Sequence, residues 1–249
     1  MNDFYDRLAA FYPLIYSDWE AAIAQQSSQL SNLMRQNWGT DVKTILDVSC
    51  GIGTQALGLA ALGYQVTASD LSNGEIQMAR QNAQERGLKI SFSVCDMRQV
   101  HQHYSSEFDV VISCDNSIPH LLTDNDILRA LWAFRDCIRS GGGCIISLRD
   151  YDREPRGRGI VKPYGVREVD GKRYLVFQVW DFEESQYDLA FYFIEEDRQT
   201  GQTHTHVMRS RYYAISPNHL MELMKIAGFI DVQRLDDAYF QPIVLGTQP

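Results

Sequence analysis

One stretch constrains the fold of this chain more than any other: Ile45-Leu46-Asp47-Val48-Ser49-Cys50-Gly51-Ile52-Gly53-Thr54, with Asp70 at the end of the next apolar run. Residues 43–48 read as a strand, 53–62 as a helix and 64–69 as a second strand, so the glycines occupy a tight strand-to-helix turn. Gly51 and Gly53 carry no Cβ, which lets the backbone approach a ligand that side chains would hold off. Asp70 stands where an ionised carboxylate can accept hydrogen bonds from both hydroxyls of a ribose, each worth ~1.5–3 kcal/mol. Gly51-Ile52-Gly53-Thr54-Gln55-Ala56 also satisfies the loose G-x-G-x-x-A dinucleotide pattern. Asp47 discriminates between ligands: a carboxylate just before the turn suits an ammonium group, directly or through water, and is unwelcome beside a pyrophosphate. Without a ligand, the same residues would only close the turn, with Asp47 as its cap.

The strand–helix alternation continues. Ser72 opens a helix that Gly87 closes, with Glu75 placed for a capping box, and 90–94 and 108–113 follow as strands. Thr123 and Asp126 repeat the cap; Ile127, Leu131, Phe134 and Ile138 then form a helical apolar stripe before Gly141, and 144–148 is another buried strand. This predicts an α/β fold, a doubly wound and mostly parallel seven-stranded sheet covered on both faces. Residues 1–40 read as a helical segment, with Ile23, Leu30, Leu33 and Met34 at helical spacing behind Tyr5, Phe11, Tyr12, Tyr16 and Trp19. The core spans 41–151. Over 152–211 a basic stretch, 153–159, leads into alternating runs at 174–180, 187–196 and 203–213, which predict an inserted antiparallel cover. Ser216-Pro217 starts a helix, and 229–235 with 240–246 return a terminal strand pair within 212–249.

The 249 residues carry 23 Lys and Arg against 32 Asp and Glu, a net charge of −9. That excess repels phosphate backbones and anionic lipid, so neither nucleic acid nor a membrane is an expected partner. No apolar run approaches the ~20 residues of a bilayer span, and the first residues lack the order of a secretory signal. Cys50, Cys95, Cys114, Cys137 and Cys144 form no C-x-x-C pair, which favours reduced thiols in a cytoplasmic protein. Neither His101/His103 nor His204/His206 gains a third ligand from spacing, so no metal is expected. Arg153, Arg156 and Arg158 read as part of a mobile lid.

D-V-S-C-G-I-G followed by S-D-L-S resembles the cofactor site of class I S-adenosylmethionine-dependent methyltransferases. Val94-Cys95-Asp96-Met97 resembles that family's adenine station, and Phe108-Asp109-Val110-Val111-Ile112 its fourth strand, in the same order. The resemblance covers about the first 150 residues and the terminal helix–strand unit. It implies a Rossmann-like methyltransferase fold, S-adenosylmethionine as cofactor and S-adenosylhomocysteine as product. Gly51 and Gly53 would line the methionine and ribose part, Asp70 hold the ribose, and Asp96 and Met97 the adenine, with Asp47, Ser49 and Leu71 completing the set. Asp109 would serve strand-end structure.

Cys114-Asp115-Asn116-Ser117-Ile118-Pro119-His120-Leu121 and Ser147-Leu148-Arg149-Asp150-Tyr151-Asp152 leave the fourth and fifth strands at the edge where open parallel sheets bind ligands. They resemble the G-N-S-x-x-H-L and R-N-Y-D segments of glycine and sarcosine N-methyltransferases. This implies that Arg149 grips a substrate carboxylate in a bidentate pair, Asn116 adds polar contacts, and His120 and Tyr151 complete the wall. Asp115 stands in place of glycine, Pro119 of a small residue and Asp150 of asparagine; the extra carboxylate favours a cationic acceptor. An attacking amine must be uncharged, and His120, ordinarily titrating near 6.5, is the candidate proton acceptor. The alternatives are that His120 only bonds the loop while water takes the proton, and that Arg149 pairs with Asp150 or Asp152. The expected function is methylation of a small polar acceptor, an amine and glycine- or sarcosine-like. A nicotinamide-dependent oxidoreductase, for which no Tyr-x-x-x-Lys pair is found, and a non-catalytic cofactor-binding module are the other readings. The oligomeric state stays open.

Overall fold

The computed structural model describes residues 2–104 and 107–249. The chain begins with α1 (Asn2–Leu8), a 3-10 segment (Ala9–Ile15) and α2 (Trp19–Trp38), whose first turn is capped by Asp18 accepting from Ala21 N. Strand and helix then alternate: β1 (Thr44–Asp47), α3 (Thr54–Ala61), β2 (Gln65–Asp70), α4 (Asn73–Glu85), β3 (Ser91–Val94), α5 (Val100–His103), β4 (Phe108–Ser113), α6 (Asp124–Arg135) and β5 (Ile138–Ser147). Four strands follow, β6 (Ile160–Val169), β7 (Lys172–Glu183), β8 (Gln186–Asp197) and β9 (Thr203–Tyr213). The chain closes with α7 (Pro217–Ile226), β10 (Ile230–Leu235) and β11 (Ile243–Thr247).

The main sheet has seven strands in the order β10-β11-β5-β4-β1-β2-β3. β1 runs parallel to both β2 and β4, while β11 runs antiparallel to β5 and β10, so the sheet is doubly wound and mostly parallel as the alternation implies. Leu30, Met34, Ala56 and Ile76 from α2, α3 and α4 cover one face; Ile127, Leu131, Phe134, Leu220 and Met224 from α6 and α7 cover the other. Because strand order reverses between β1 and β4, their adjacent helices lie on opposite faces and a crevice opens at their C-terminal ends.

Several elements depart from the sequence reading, among them the short helix α5, which it did not assign. Ile138 belongs to β5, where it pairs with Phe108, and α6 stops at Arg135 in a turn through Asp136 and Cys137. β5 also runs through consecutive glycines, of which Gly143 packs against Trp38 of α2 and Gly142 against Asp109 O: a Cβ at Gly143 would sit 2.0 Å from the indole. β6 went unpredicted because Pro163 and Gly165 interrupt its alternation. It is an edge strand, with a register shift between those two residues, which is where a sheet tolerates them.

β6 to β9 form a separate antiparallel sheet in sequence order, inserted between β5 and α7. Val176, Trp180, Tyr187, Phe191, Phe193 and Met208 on one of its faces pack with Phe4 and Leu8 of α1. The N-terminal segment is tied to the main domain as well, since Asp6 Oδ1 accepts from Ser72 Oγ and Gly74 N at the start of α4.

Candidate active site

The glycine turn is locked by short backbone bonds: Cys50 N donates to Ser69 O, and Gly53 N to Cys50 O at 2.8 Å. Gly51 and Gly53 both take positive φ, at 53° and 100°, a region that costs other residues strain. Asp70 fastens the turn to β2: Oδ2 accepts from Gly51 N at 3.0 Å and Oδ1 from Ser72 N at 2.9 Å. Above the turn is a cavity of about 340 Å³. It runs from Cys95, Asp96 and Met97 past Ser49, Gly51, Asp70 and Leu71 to Asp115, His120, Tyr5 and Tyr12.

The cavity is acid-rich. Glu75 is 1% exposed, lines the wall beside Gly51 and Asp70, and has an Oε1 with no hydrogen-bond partner. Burial, then the neighbouring charge of Asp70, pushes its carboxyl well above the ordinary value. This corrects the capping-box reading. Ser72 Oγ does accept from Glu75 N, but Ser72 N bonds Asp70 and the Glu75 carboxylate lies against Gly51. Asp47 lies behind the turn, its Oδ1 accepting from Ser49 N and its buried Oδ2 unpartnered. At the opposite end, Arg98 pairs with Asp96 at 2.6 Å and with Asp126 at 3.0 Å, so this cation is neutralised. Such a lining suits a cationic ligand with a diol and penalises a pyrophosphate, which would face Asp70 and Glu75.

A second, smaller cavity of about 50 Å³ shares Tyr5, Tyr12 and Asp115 with the first, and adds Asn116, Arg149, Tyr164 and Gln178. Arg149 Nη2 donates to Tyr164 Oη at 2.8 Å, and its guanidinium lies 5.3 Å from the Trp180 ring centre. Among the described residues Arg149 makes no ion pair; Asp150 is taken by Arg153 and Arg234 instead. Asp115 and Asn116 both have left-handed backbones, with φ of 57° and 65°, in a region that Asp and Asn tolerate better than other side chains. The hydroxyls of Tyr12 and Tyr16 donate to Asp115 Oδ2. A wider crevice of about 750 Å³, lined in part by Asp115, Arg149, Tyr164, Lys162 and Phe240, leads outward from this point.

Residues 45–142 match the family described as methyltransferase domain. The chain is 28% identical over 145 residues to a glycine/sarcosine N-methyltransferase of Parasynechococcus marenigrum, covering 58% of this chain and 50% of that protein. It is 26% identical over 154 residues to a ubiquinone biosynthesis O-methyltransferase of Pseudomonas paraeruginosa, covering 60% and 64%. The chain thus spans about half to two-thirds of the length of these curated relatives. Its fold matches that of the S-adenosylmethionine-bound amino pentose methyltransferase CalS10 of Micromonospora echinaspora, with a TM-score of 0.81, 15% identity, and 96% and 95% of the two chains covered.

The structure places most of the residues singled out in the sequence, but not all, on the cavity walls. Ser49, Gly51, Asp70, Leu71, Asp96, Met97 and His120 line the first cavity; Asn116 and Arg149 line the second. Gly53 caps α3, and Asp47 sits a layer deeper. Tyr151 lines none of the three cavities. Its hydroxyl is held behind Asn116, bonding the Asn116 amide and Tyr187. Asn116 spends its own amide on Tyr151 and on Arg149 N, so it fastens the β4 loop to the β5 loop. His120 is buried beneath Tyr5, whose hydroxyl bonds Nε2, and burial alone pushes its pKa down to about 3. Arg156 of the basic stretch stacks on Phe182 and donates to Glu184 O rather than hanging free. Glu75, Tyr5, Tyr12 and Arg98 are wall residues that the sequence reading did not assign to the site.

Burial pushes the Asp47 carboxyl up to about 7, against the opposing bond from Ser49 N. Its folded value lies above its unfolded value, so the stability it lends is complete below pH ~4 and is lost as pH rises to about 7. Asp70 and Glu75, also pushed up by burial, act in the same direction. The thermal midpoint of the ligand-free protein is therefore expected to fall between pH 5 and 7.5. Asp47→Asn should flatten that fall, regaining up to about 4 kcal/mol at pH 7.5. Identical pH curves for the two proteins would contradict this origin of the instability.

Proposed function

We propose that this chain transfers a methyl group from S-adenosylmethionine to the amino group of a small polar acceptor carrying a carboxylate, in the manner named for its glycine/sarcosine relative. The observation that carries the reading is Arg149: a partly buried cation that makes no ion pair among the described residues, in a small cavity that joins the cofactor cavity at Asp115, Tyr5 and Tyr12. When bound, S-adenosylmethionine supplies an electrophilic methyl on a sulfonium. Asp70 would hold its ribose, Asp96 and Met97 its adenine, Ser49 and Gly51 its methionine end. The unpartnered oxygens of Asp47 and Glu75 give the cationic centres acidic surroundings.

On the acceptor side, Arg149 would fix the carboxylate in a bidentate pair, and Asp115 would attract the amine. Positioning is then the main catalytic device, because a sulfonium methyl needs little covalent help. Asn116 and Tyr151 act as positioning residues through the loop that carries Arg149. Residues 41–151 with 212–249 would form the cofactor-binding core, 152–211 the substrate cover, and 1–40 the segment closing the other side. No helix among the described residues is long and apolar enough to cross a membrane. The five buried free thiols suit a reducing, cytoplasmic compartment.

Screening small amines, amino acids and hydroxyl acceptors for S-adenosylhomocysteine release tests the proposal. Turnover is expected with amines bearing a carboxylate; turnover confined to hydroxyl acceptors would overturn it. His120 held near 3 stays neutral through the working range, its Nε2 hydrogen-bonded to the Tyr5 hydroxyl. The rate is therefore expected to rise with pH along the acceptor amine's own titration. An inflection near pH 6.5 that vanishes in His120→Gln would restore the imidazole as base.

A further inference from the structure

The antiparallel sheet has a second face. Its inner face packs on α1, but Val161, Val166, Leu175, Phe177, Val179 and Tyr192 point the other way and belong to no core cluster of the chain. The register lines them up across the strands. Val161 pairs with Val179 and Val179 with Ala190; Pro163 pairs with Phe177, Phe177 with Tyr192 and Tyr192 with Val207. Val166, Leu175 and Ile194 form the next row. The rings of Phe177 and Tyr192 lie flat on one another, 4.8 Å apart and 2° from parallel. Val161 is 58% exposed, Val166 53% and Leu175 45%, in one contiguous band rather than scattered singly. Contiguous apolar surface of this kind marks an interaction site.

Size and charge select the occupant. Four strands about 4.8 Å apart and about eleven residues long present a face of roughly 700 Å². That is close to the ~800 Å² that each partner buries in a standard stable interface. Charged residues fence the band at both ends, and exposed Arg209 ends the Val161–Val179–Ala190 row on β9; most of the fencing charges are paired within the sheet, Arg173 with Glu168 and Glu196, Arg198 with Glu168, Arg211 with Glu183 and Asp188. The face therefore offers little net field to an acidic or basic partner, and it does not repel its own copy although the chain carries −9. An apolar centre inside a self-neutralised rim is the layout of an isologous contact, in which one patch meets itself.

We propose that this outer face joins two copies of the chain about a two-fold axis near the Phe177–Tyr192 pair, sheet against sheet. The sites stay on opposite sides of their sheets, so dimerisation is independent of the methyl-transfer reading. Sedimentation equilibrium at about 1–100 µM tests it. The wild type is expected to be a dimer, and Leu175→Glu, whose side chain leaves no core, is expected to weaken association by at least about 100-fold while retaining its circular dichroism and cofactor binding. In a second arm, Phe177→Cys should form an interchain disulfide on mild oxidation, because the five native cysteines are buried and leave it the accessible thiol. This arm decides if Leu175→Glu fails to fold. A monomeric wild type, a folded Leu175→Glu that dimerises as tightly as the wild type, or a Phe177→Cys that forms no disulfide would each overturn the proposal.

Discussion

Replacing Asp70 by alanine is expected to weaken S-adenosylmethionine binding by at least about 100-fold. Hydrogen bonds to an ionised acceptor are worth roughly 1.5–3 kcal/mol each, and a ribose offers two. The same carboxylate also secures the turn through Gly51 N and Ser72 N, so its loss loosens the backbone that must approach the ligand. Asp70→Asn separates the two contributions. It keeps one acceptor oxygen and the shape, loses the charge, and should cost roughly 10-fold. Glu75→Gln should resemble Asp70→Asn, because its buried carboxylate lies against Gly51 and Asp70 without tying the turn. Calorimetric titration reads all three. An Asp70→Ala protein that remains folded and binds within about threefold of wild type would remove Asp70 from the site.

The second large effect falls on the acceptor. Arg149→Met is expected to lower kcat/KM for a carboxylate-bearing amine by about 100- to 1000-fold, with cofactor affinity unchanged within about twofold. Truncating one partner of a buried charge pair costs ~2–5 kcal/mol, largely because the other charge is stranded. Here the stranded group would be the acceptor's carboxylate, beside Asp115 and in a small cavity. Arg149→Lys should recover only part of the loss, since an ammonium cannot form the bidentate fork or keep the same stacking on Trp180. An amine without a carboxylate should lose little in either variant. Equal losses for both acceptor types would mean that Arg149 supports the loop and not the substrate.

What was legible in the sequence was local. The turn, its glycines and Asp70 follow from a strand–turn–helix pattern in which every partner lies within a short span, and the structure places Gly51 and Asp70 on the cavity wall. Arg149 was legible as a residue leaving a strand at the ligand edge. What it does not pair with was not, because Arg234, which takes Asp150, is distant in sequence. Glu75 was read as a capping residue because the capping pattern specifies a backbone bond, which Glu75 N does make, and says nothing of where its carboxylate turns. Tyr151 was read as a wall, but its hydroxyl is spent on Asn116 and Tyr187. Tyr5 reaches His120 across 115 residues, a contact no local pattern encodes. β6 was hidden by Pro163 and Gly165, which mark loops in a sequence and an edge in a sheet.

An acid-walled cavity of this kind should take a cationic adenosyl ligand, and titration of the wild-type chain with S-adenosylmethionine tests that most directly. The expected result is saturable heat at one ligand per chain, with no measurable binding of NADH or NADPH under the same conditions, since a pyrophosphate would meet Asp70 and Glu75. Absence of S-adenosylmethionine binding by folded protein, or tighter binding of a nicotinamide dinucleotide, would contradict it.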